Sequence, residues 1–231
     1  IIASIDMKFL YDDGCPTMVM PAVWNKPSIQ QPNIPKQVNF KDVLLSLIES
    51  LNLCSREYKS RMYDGEVKGL SVVKPFVGKK SDVPSDATVL RIDYESNRGA
   101  ILAEGINPWY SDLDTYDMTA SVIDEAVRKI IAVGGDLKRI AILDNFCWPD
   151  PVESEKTPDG AYKLAQLVRS CKALYDYTTL YKTPAISGKD SCKNDSTRGG
   201  KKISIPPTLL ISSIGQINDV QKSVTCLLYT S

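Results

Sequence analysis

The chain of 231 residues contains no histidine. That absence rules out a Ser–His or Cys–His nucleophile pair built from this chain alone. It also removes the usual zinc sites, because none of Cys15, Cys54, Cys147, Cys171, Cys192 and Cys226 is paired in a CxxC spacing. No charged segment, apolar core and cleavage site opens the chain, so the thiols are expected to be reduced and the setting cytoplasmic. The 28 basic residues balance 28 acidic ones, leaving no electrostatic case for nucleic acid or an anionic membrane surface. No apolar run approaches the roughly 18 residues that a membrane span needs. There is no GxGxxG, and no GxxxxGK followed by Ser or Thr. Any chemistry must rest on carboxylates, lysines, a metal ion or groups supplied by something else.

What is present starts with enough apolar residues, 43%, for a real core. The stretch Asp117 to Pro151 organises the rest. Met118, Val122, Ala126, Ile130 and Val133 recur every three or four positions, which predicts a helix over Thr115 to Gly134. Gly134-Gly135 ends it. The apolar run Arg139 to Leu143 follows as a covered strand, expected to reach Asn145 and to deliver Asp144 to Pro151 to a polar, proline-stiffened turn.

Before this centre, Ile1 to Leu10 and Thr17 to Trp24 read as a hairpin around Asp12-Asp13-Gly14, the closing strands (1–24) of a preceding domain. Residues 25–40, with Pro27, Pro32 and Pro35, read as a stiff linker. The main domain is expected over 41–220. It begins with a helix over Asp42 to Leu53 and a short one over Ser55 to Met62. An extended segment follows at Ser71 to Pro75, then strands at Asp86 to Tyr94 and Gly99 to Ile106. After the centre, Thr157-Pro158 opens a helix expected to bury Leu164, Val168, Cys171, Leu174 and Thr178. Pro184 to Ser187 reads as a short strand running into a turn at Gly188-Lys189-Asp190-Ser191, Ser196 to Lys202 as a basic loop, and Leu209 to Ile217 as the last strand. Residues 221–231 are expected to lie outside the fold. Cys226 to Ser231 matches the translated end of a sequencing transposon and reads as an artefact.

Candidate chemistry centres on Asp64 and Glu125. Each has an ordinary reading: a turn aspartate, and a helix carboxylate paired with Lys129 four residues on. If the two converge, carboxylates without histidine suit a hard cation such as Mg²⁺, which shares its shell with nucleotide phosphates. Asp144-Asn145 could position a ligand or tie down its own turn.

Five stretches in register carry a resemblance. They are Asp64-Gly65-Glu66-Val67, Ile123 to Arg128, Asp144 to Trp148, Gly188 to Ser191 and Pro206 to Ser212. From Ile1 to Val224 the chain resembles the phosphoribosylformylglycinamidine synthase family. The resemblance implies a carbon–nitrogen ligase of purine biosynthesis with glutamine as amido donor. In that family ATP activates an amide oxygen and ammonia then displaces phosphate. It implies ATP or ADP and Mg²⁺ as cofactors. It implies as partners a glutaminase domain or subunit, a homologous first-half domain and the domain that follows. By this resemblance the chain is the sheet domain of the second half, which holds an auxiliary nucleotide.

Carried across residue by residue, Asp64 and Glu125 match Mg²⁺ ligands and Tyr63 sits where the backbone meets the nucleotide. Lys129 departs from the asparagine often found there, and as an ammonium it can touch phosphate but cannot ligate a metal. The implied fold is α+β: an antiparallel four-stranded sheet with helices on one face, like the N-terminal domain of aminoimidazole ribonucleotide synthetase. That sheet pairs with a homologous domain to close a barrel. Aminoimidazole ribonucleotide synthetase, selenophosphate synthetase, thiamine-monophosphate kinase and a non-catalytic structural half remain the alternatives.

Overall fold

The computed structural model describes residues 2–11, 18–33, 35, 39–63 and 66–224. In chain order the helices are α1 (Met7–Tyr11), α2 (Phe40–Glu49), α3 (Glu57–Ser60), α4 (Thr115–Ala132) and α5 (Gly160–Tyr181). The strands are β1 (Ser71–Val73), β2 (Phe76–Val77), β3 (Val83–Pro84), β4 (Thr88–Arg91), β5 (Gly99–Ile106), β6 (Ile140–Cys147), β7 (Ala185–Ser191), β8 (Asp195–Arg198), β9 (Lys201–Ser204) and β10 (Thr208–Ile217).

The last long strand lies in the middle of the main sheet, whose order is β1-β4-β5-β10-β6-β7. β10 runs antiparallel to β5, with Ile211 opposite Gly105, and antiparallel to β6, with Leu209 opposite Phe146. The expected four-stranded antiparallel sheet is therefore corrected to a six-stranded mixed one within the same α+β class. Ser71–Val73 adds one edge. The other addition is parallel: β7 pairs with β6 in the same direction, Asp144 beside Gly188 and Cys147 beside Ser191. The 22-residue α5 returns the chain to the starting end of β6, as a parallel pairing requires. The turn expected at Gly188–Ser191 is thus strand. The main sheet is open, with β1 and β7 at its edges.

Alternation along β5 and β10 sorts one face toward the helices. Ile101, Ala103, Leu209, Ile211 and Ile217 are buried with Met118, Val122, Ala126 and Ile130 of α4, the predicted helix face. The opposite face leaves Leu102, Ile106 and Ile214 exposed among Glu104 and Gln216. Gly215 lets α4 settle closely, since a Cβ there would lie 2.4 Å from the Ile130 side chain.

α5 corrects the predicted burial. Val168 and Cys171 are exposed, whereas Lys163, Gln166, Ser170 and Ala173 are buried. The reason is its partner, α4, which presents hydroxyls. Thr115 donates to the Gln166 carbonyl at 2.6 Å, the Thr119 and Ser170 hydroxyls hydrogen-bond to each other at 2.5 Å, and the Tyr116 and Tyr181 hydroxyls donate to Asp176 and Asp124 at 2.8 Å each. A seam of satisfied polar groups can be buried as readily as an apolar one.

The expected opening hairpin is not what the described residues form. Met7–Tyr11 is helical, and residues 18–33 have no regular structure. Instead the Val23 amide donates to the Ala161 carbonyl at 3.0 Å. Trp24 stacks on Tyr162 with ring centres 5.4 Å apart, and the Arg169 guanidinium lies 4.5 Å from the Trp24 ring centre. The expected loop at Ser196–Lys202 is the β8–β9 hairpin. Gly199 and Gly200 both take positive φ, as its two-residue turn demands.

Candidate functional site

The site is built where α4 touches the end of β5. A Cβ at position 105 would lie 2.0 Å from the Val122 carbonyl oxygen, so only glycine lets the helix come so near. That approach carries Glu125, one turn further along α4, to the strand backbone. Glu125 Oε2 accepts the Ile106 amide at 3.1 Å. Its Oε1 meets Lys129 Nζ at 2.8 Å, and the same ammonium donates to the Glu104 carbonyl at 3.0 Å. The result is a closed ring of strand amide, carboxylate, ammonium and strand carbonyl, across one helical turn and three strand residues. Neither side chain is fully buried; 40% of the Glu125 side chain and 30% of that of Lys129 remain exposed. As a plain surface pair it would contribute roughly 0.3–0.5 kcal/mol.

Two hollows meet at Lys129. One, of about 480 Å³, is lined by Asp86, Asn107, Tyr110, Asp124, Glu125 and Arg128. The other, of about 1080 Å³, runs along the outer sheet face past Arg56, Ser85, Thr88, Leu102 and Ser212. Next to Glu125, Asp124 is engaged by Tyr181 and by Arg128. Tyr63 is 93% exposed and lines a different depression with Arg61, Glu66 and Lys74, whose lining does not include Glu125. Asp64 lies outside the described residues, so its convergence with Glu125 stays an expectation.

Both oxygens of Glu125 are engaged, one by an ammonium, and among the described residues no group of three or more His, Cys, Asp or Glu could hold a metal. As packed, Glu125 gives its second oxygen to an ammonium and not to a divalent ion. That ammonium lies at the wall of a hollow large enough for a nucleotide.

Asp144 lies in β6, on the helix side of the sheet opposite Ile211. Its carboxyl lies where a Cβ on Gly188 would be, 2.8 Å away. Burial raises its pKa, a backbone amide lowers it, Asp190 raises it again, and the net direction is upward. Sequence reasoning passed over Gly105. An isolated glycine inside the alternating run of β5 was the available signal for a close backbone approach. It also passed over Asp114, which caps α4 by accepting the Tyr116 amide at 2.9 Å and holds Arg169 along one guanidinium edge, Nε and Nη2 each donating to one carboxylate oxygen.

No family model matches the chain. A phosphoribosylformylglycinamidine synthase subunit PurL from Methanocaldococcus jannaschii is 36% identical over 180 residues, covering 78% of this chain and 22% of the relative. The chain is a homologue of part of that synthase subunit. Two solved structures from Thermotoga maritima, PurL complexed with ADP and PurLQS, each share 25% identity over 89% of this chain and 29% of theirs, with TM-scores of 0.55 and 0.53. The chain spans about a quarter of the length of the curated synthase relatives it matches, 22% to 28%. No helix among the described residues is long and apolar enough to cross a membrane.

Proposed function

We propose that this chain is the nucleotide-holding sheet domain of a phosphoribosylformylglycinamidine synthase, an ATP-dependent ligase that turns an amide into an amidine with ammonia drawn from glutamine. The observation that carries this reading is the Glu104–Lys129–Glu125–Ile106 ring, fixed by Gly105 and opening on a hollow of nucleotide size. The homology and the ADP-bound neighbour support it. In this reading Lys129 meets a phosphate and the apolar outer face of the sheet docks on a homologous domain to close a barrel. The amide substrate, ammonia and the catalytic groups come from that domain and from a glutaminase partner. A structural rather than catalytic part is favoured by one observation: the whole chain has no histidine to serve as a general base near neutral pH.

The test is calorimetry with ADP on the intact synthase and on this chain alone, beside a synthetase assay. The intact enzyme should lose nucleotide affinity in Glu125→Gln while turnover per folded molecule holds. The chain alone should bind ADP weakly and turn nothing over. Tight binding or turnover by the chain alone would count against the reading.

A further inference from the structure

Glu125 has one carboxylate oxygen directed into the sheet backbone and one left for a cation, and the position beside that second oxygen is taken. Its occupant is an ammonium 2.8 Å away, on the same helix and four residues on. Mg²⁺ needs near-octahedral oxygens at roughly 2.0–2.1 Å, so on Oε1 it would sit close beside the ammonium already bound to that oxygen. Displacing the ammonium would set a divalent charge beside a univalent one. Asp124, the nearest other carboxylate on α4, is held by Tyr181 and Arg128 and is not free to offset that repulsion. A tethered ammonium also meets Glu125 at a local concentration set by the helix and not by the medium.

The second contact of Lys129 matters as much. By donating to the Glu104 carbonyl, the ammonium uses two of its three protons within the ring and keeps one for a ligand. It borders both hollows, whose other charged lining residues are Arg56, Glu57, Asp82, Asp86, Glu104, Asp124, Glu125 and Arg128.

We propose that Lys129 is a built-in cation that takes the place of a divalent ion on Glu125, so that a phosphate-bearing nucleotide is held here by an ammonium and not through a metal bridge. This rests on the nucleotide reading above, and the experiment separates the two. In the intact synthase, Mn²⁺ bound per chain is counted by electron paramagnetic resonance without nucleotide, and ADP binding is measured by calorimetry with Mg²⁺ and with chelator. The forms compared are wild type, Lys129→Asn, Lys129→Arg, Lys129→Met and Glu125→Gln.

The proposal expects Lys129→Asn to gain one Mn²⁺ over wild type, and Lys129→Arg and Glu125→Gln to gain none. ADP affinity attributable to this site should change little with chelator in wild type and fall at least roughly tenfold in Lys129→Asn. A wild-type Mn²⁺ that disappears in Glu125→Gln would overturn the lysine's role and leave nucleotide binding intact. If neither Glu125→Gln nor Lys129→Met alters ADP binding, the nucleotide reading falls, while the nucleotide-free Mn²⁺ counts still decide the exchange of lysine for metal. Lys129→Arg, which keeps the charge, controls for a folding defect in the other variants.

Discussion

The carbonyl oxygen of Val122 lies 2.0 Å from where a Cβ on residue 105 would be, so α4 rests on bare strand backbone. Gly105→Ala must push the helix outward. Overpacking of this kind costs about 1–3 kcal/mol, and here the obstacle is backbone, which cannot rotate away. The expected result is a lower urea midpoint and a faster-exchanging Ile106 amide, since Glu125 would no longer reach it. An unchanged midpoint would show that the helix has another seat.

Asp114 is the joint between the two long helices, and its pH behaviour follows. Burial alone would raise its pKa, but the hydrogen bonds from Arg169 and the Tyr116 amide and the charge of Arg169 outweigh it, and the net shift is downward. A carboxylate depressed in the folded state stabilises fully above its unfolded value of about 3.9 and loses that stabilisation as pH falls through the lower folded value. Asp114→Asn should flatten this acid limb in a thermal-melt series. Asp114→Ala should also lose the cap, roughly 1 kcal/mol by itself.

Asp144 carries the opposite sign. Its burial beside Gly188 raises the folded pKa, so the folded state binds more protons than the unfolded one between the two values. Stability then declines as pH rises through that window. Asp144→Asn should melt higher than the parent at pH 7 and should lose its advantage below about pH 3.9. A lower melting temperature at pH 7 would mean that the carboxylate makes a net favourable interaction that outweighs its burial.

Trp24 fastens the entering segment to α5 through Tyr162 and Arg169. The stacked pair should contribute about 0.5–1.5 kcal/mol and the cation–π contact about 0.5–1. Trp24→Ala should therefore expose residues 18–33 to limited proteolysis well before α5 opens. Equal cleavage rates in parent and variant would contradict that anchoring.

Much of the main sheet and all of α4 were legible in the sequence, because alternation and the helical repeat record which face is apolar. Met118, Val122, Ala126 and Ile130 pointed inward as their spacing required. α5 misled for the same reason. Its apolar repeat at Val168 and Cys171 faces outward, and its buried side is set by hydroxyl partners on α4, a relation that no single-helix pattern contains. The parallel addition of β7 was illegible because Gly188-Lys189-Asp190-Ser191 is poor in strand-formers. It pairs because β6 offers an unpaired ladder. At the site, Glu125 beside Lys129 follows from helix spacing, whereas the strand groups that complete the ring come from residues 104 and 106, well upstream in the chain. Only Gly105 hinted at them.

The position of β7 at the rim of the sheet has a practical consequence. Seven residues of backbone lie along an outer margin with one side lacking a neighbouring strand among the described residues, the arrangement most open to association between copies. Lys189 and Asp190 set opposite charges along it and Gly188 weakens its tendency to extend, so stacking of a second chain must bring like charges together or find an exact offset. Neutralising Lys189 and Asp190 together should turn that margin into a nucleus for aggregates.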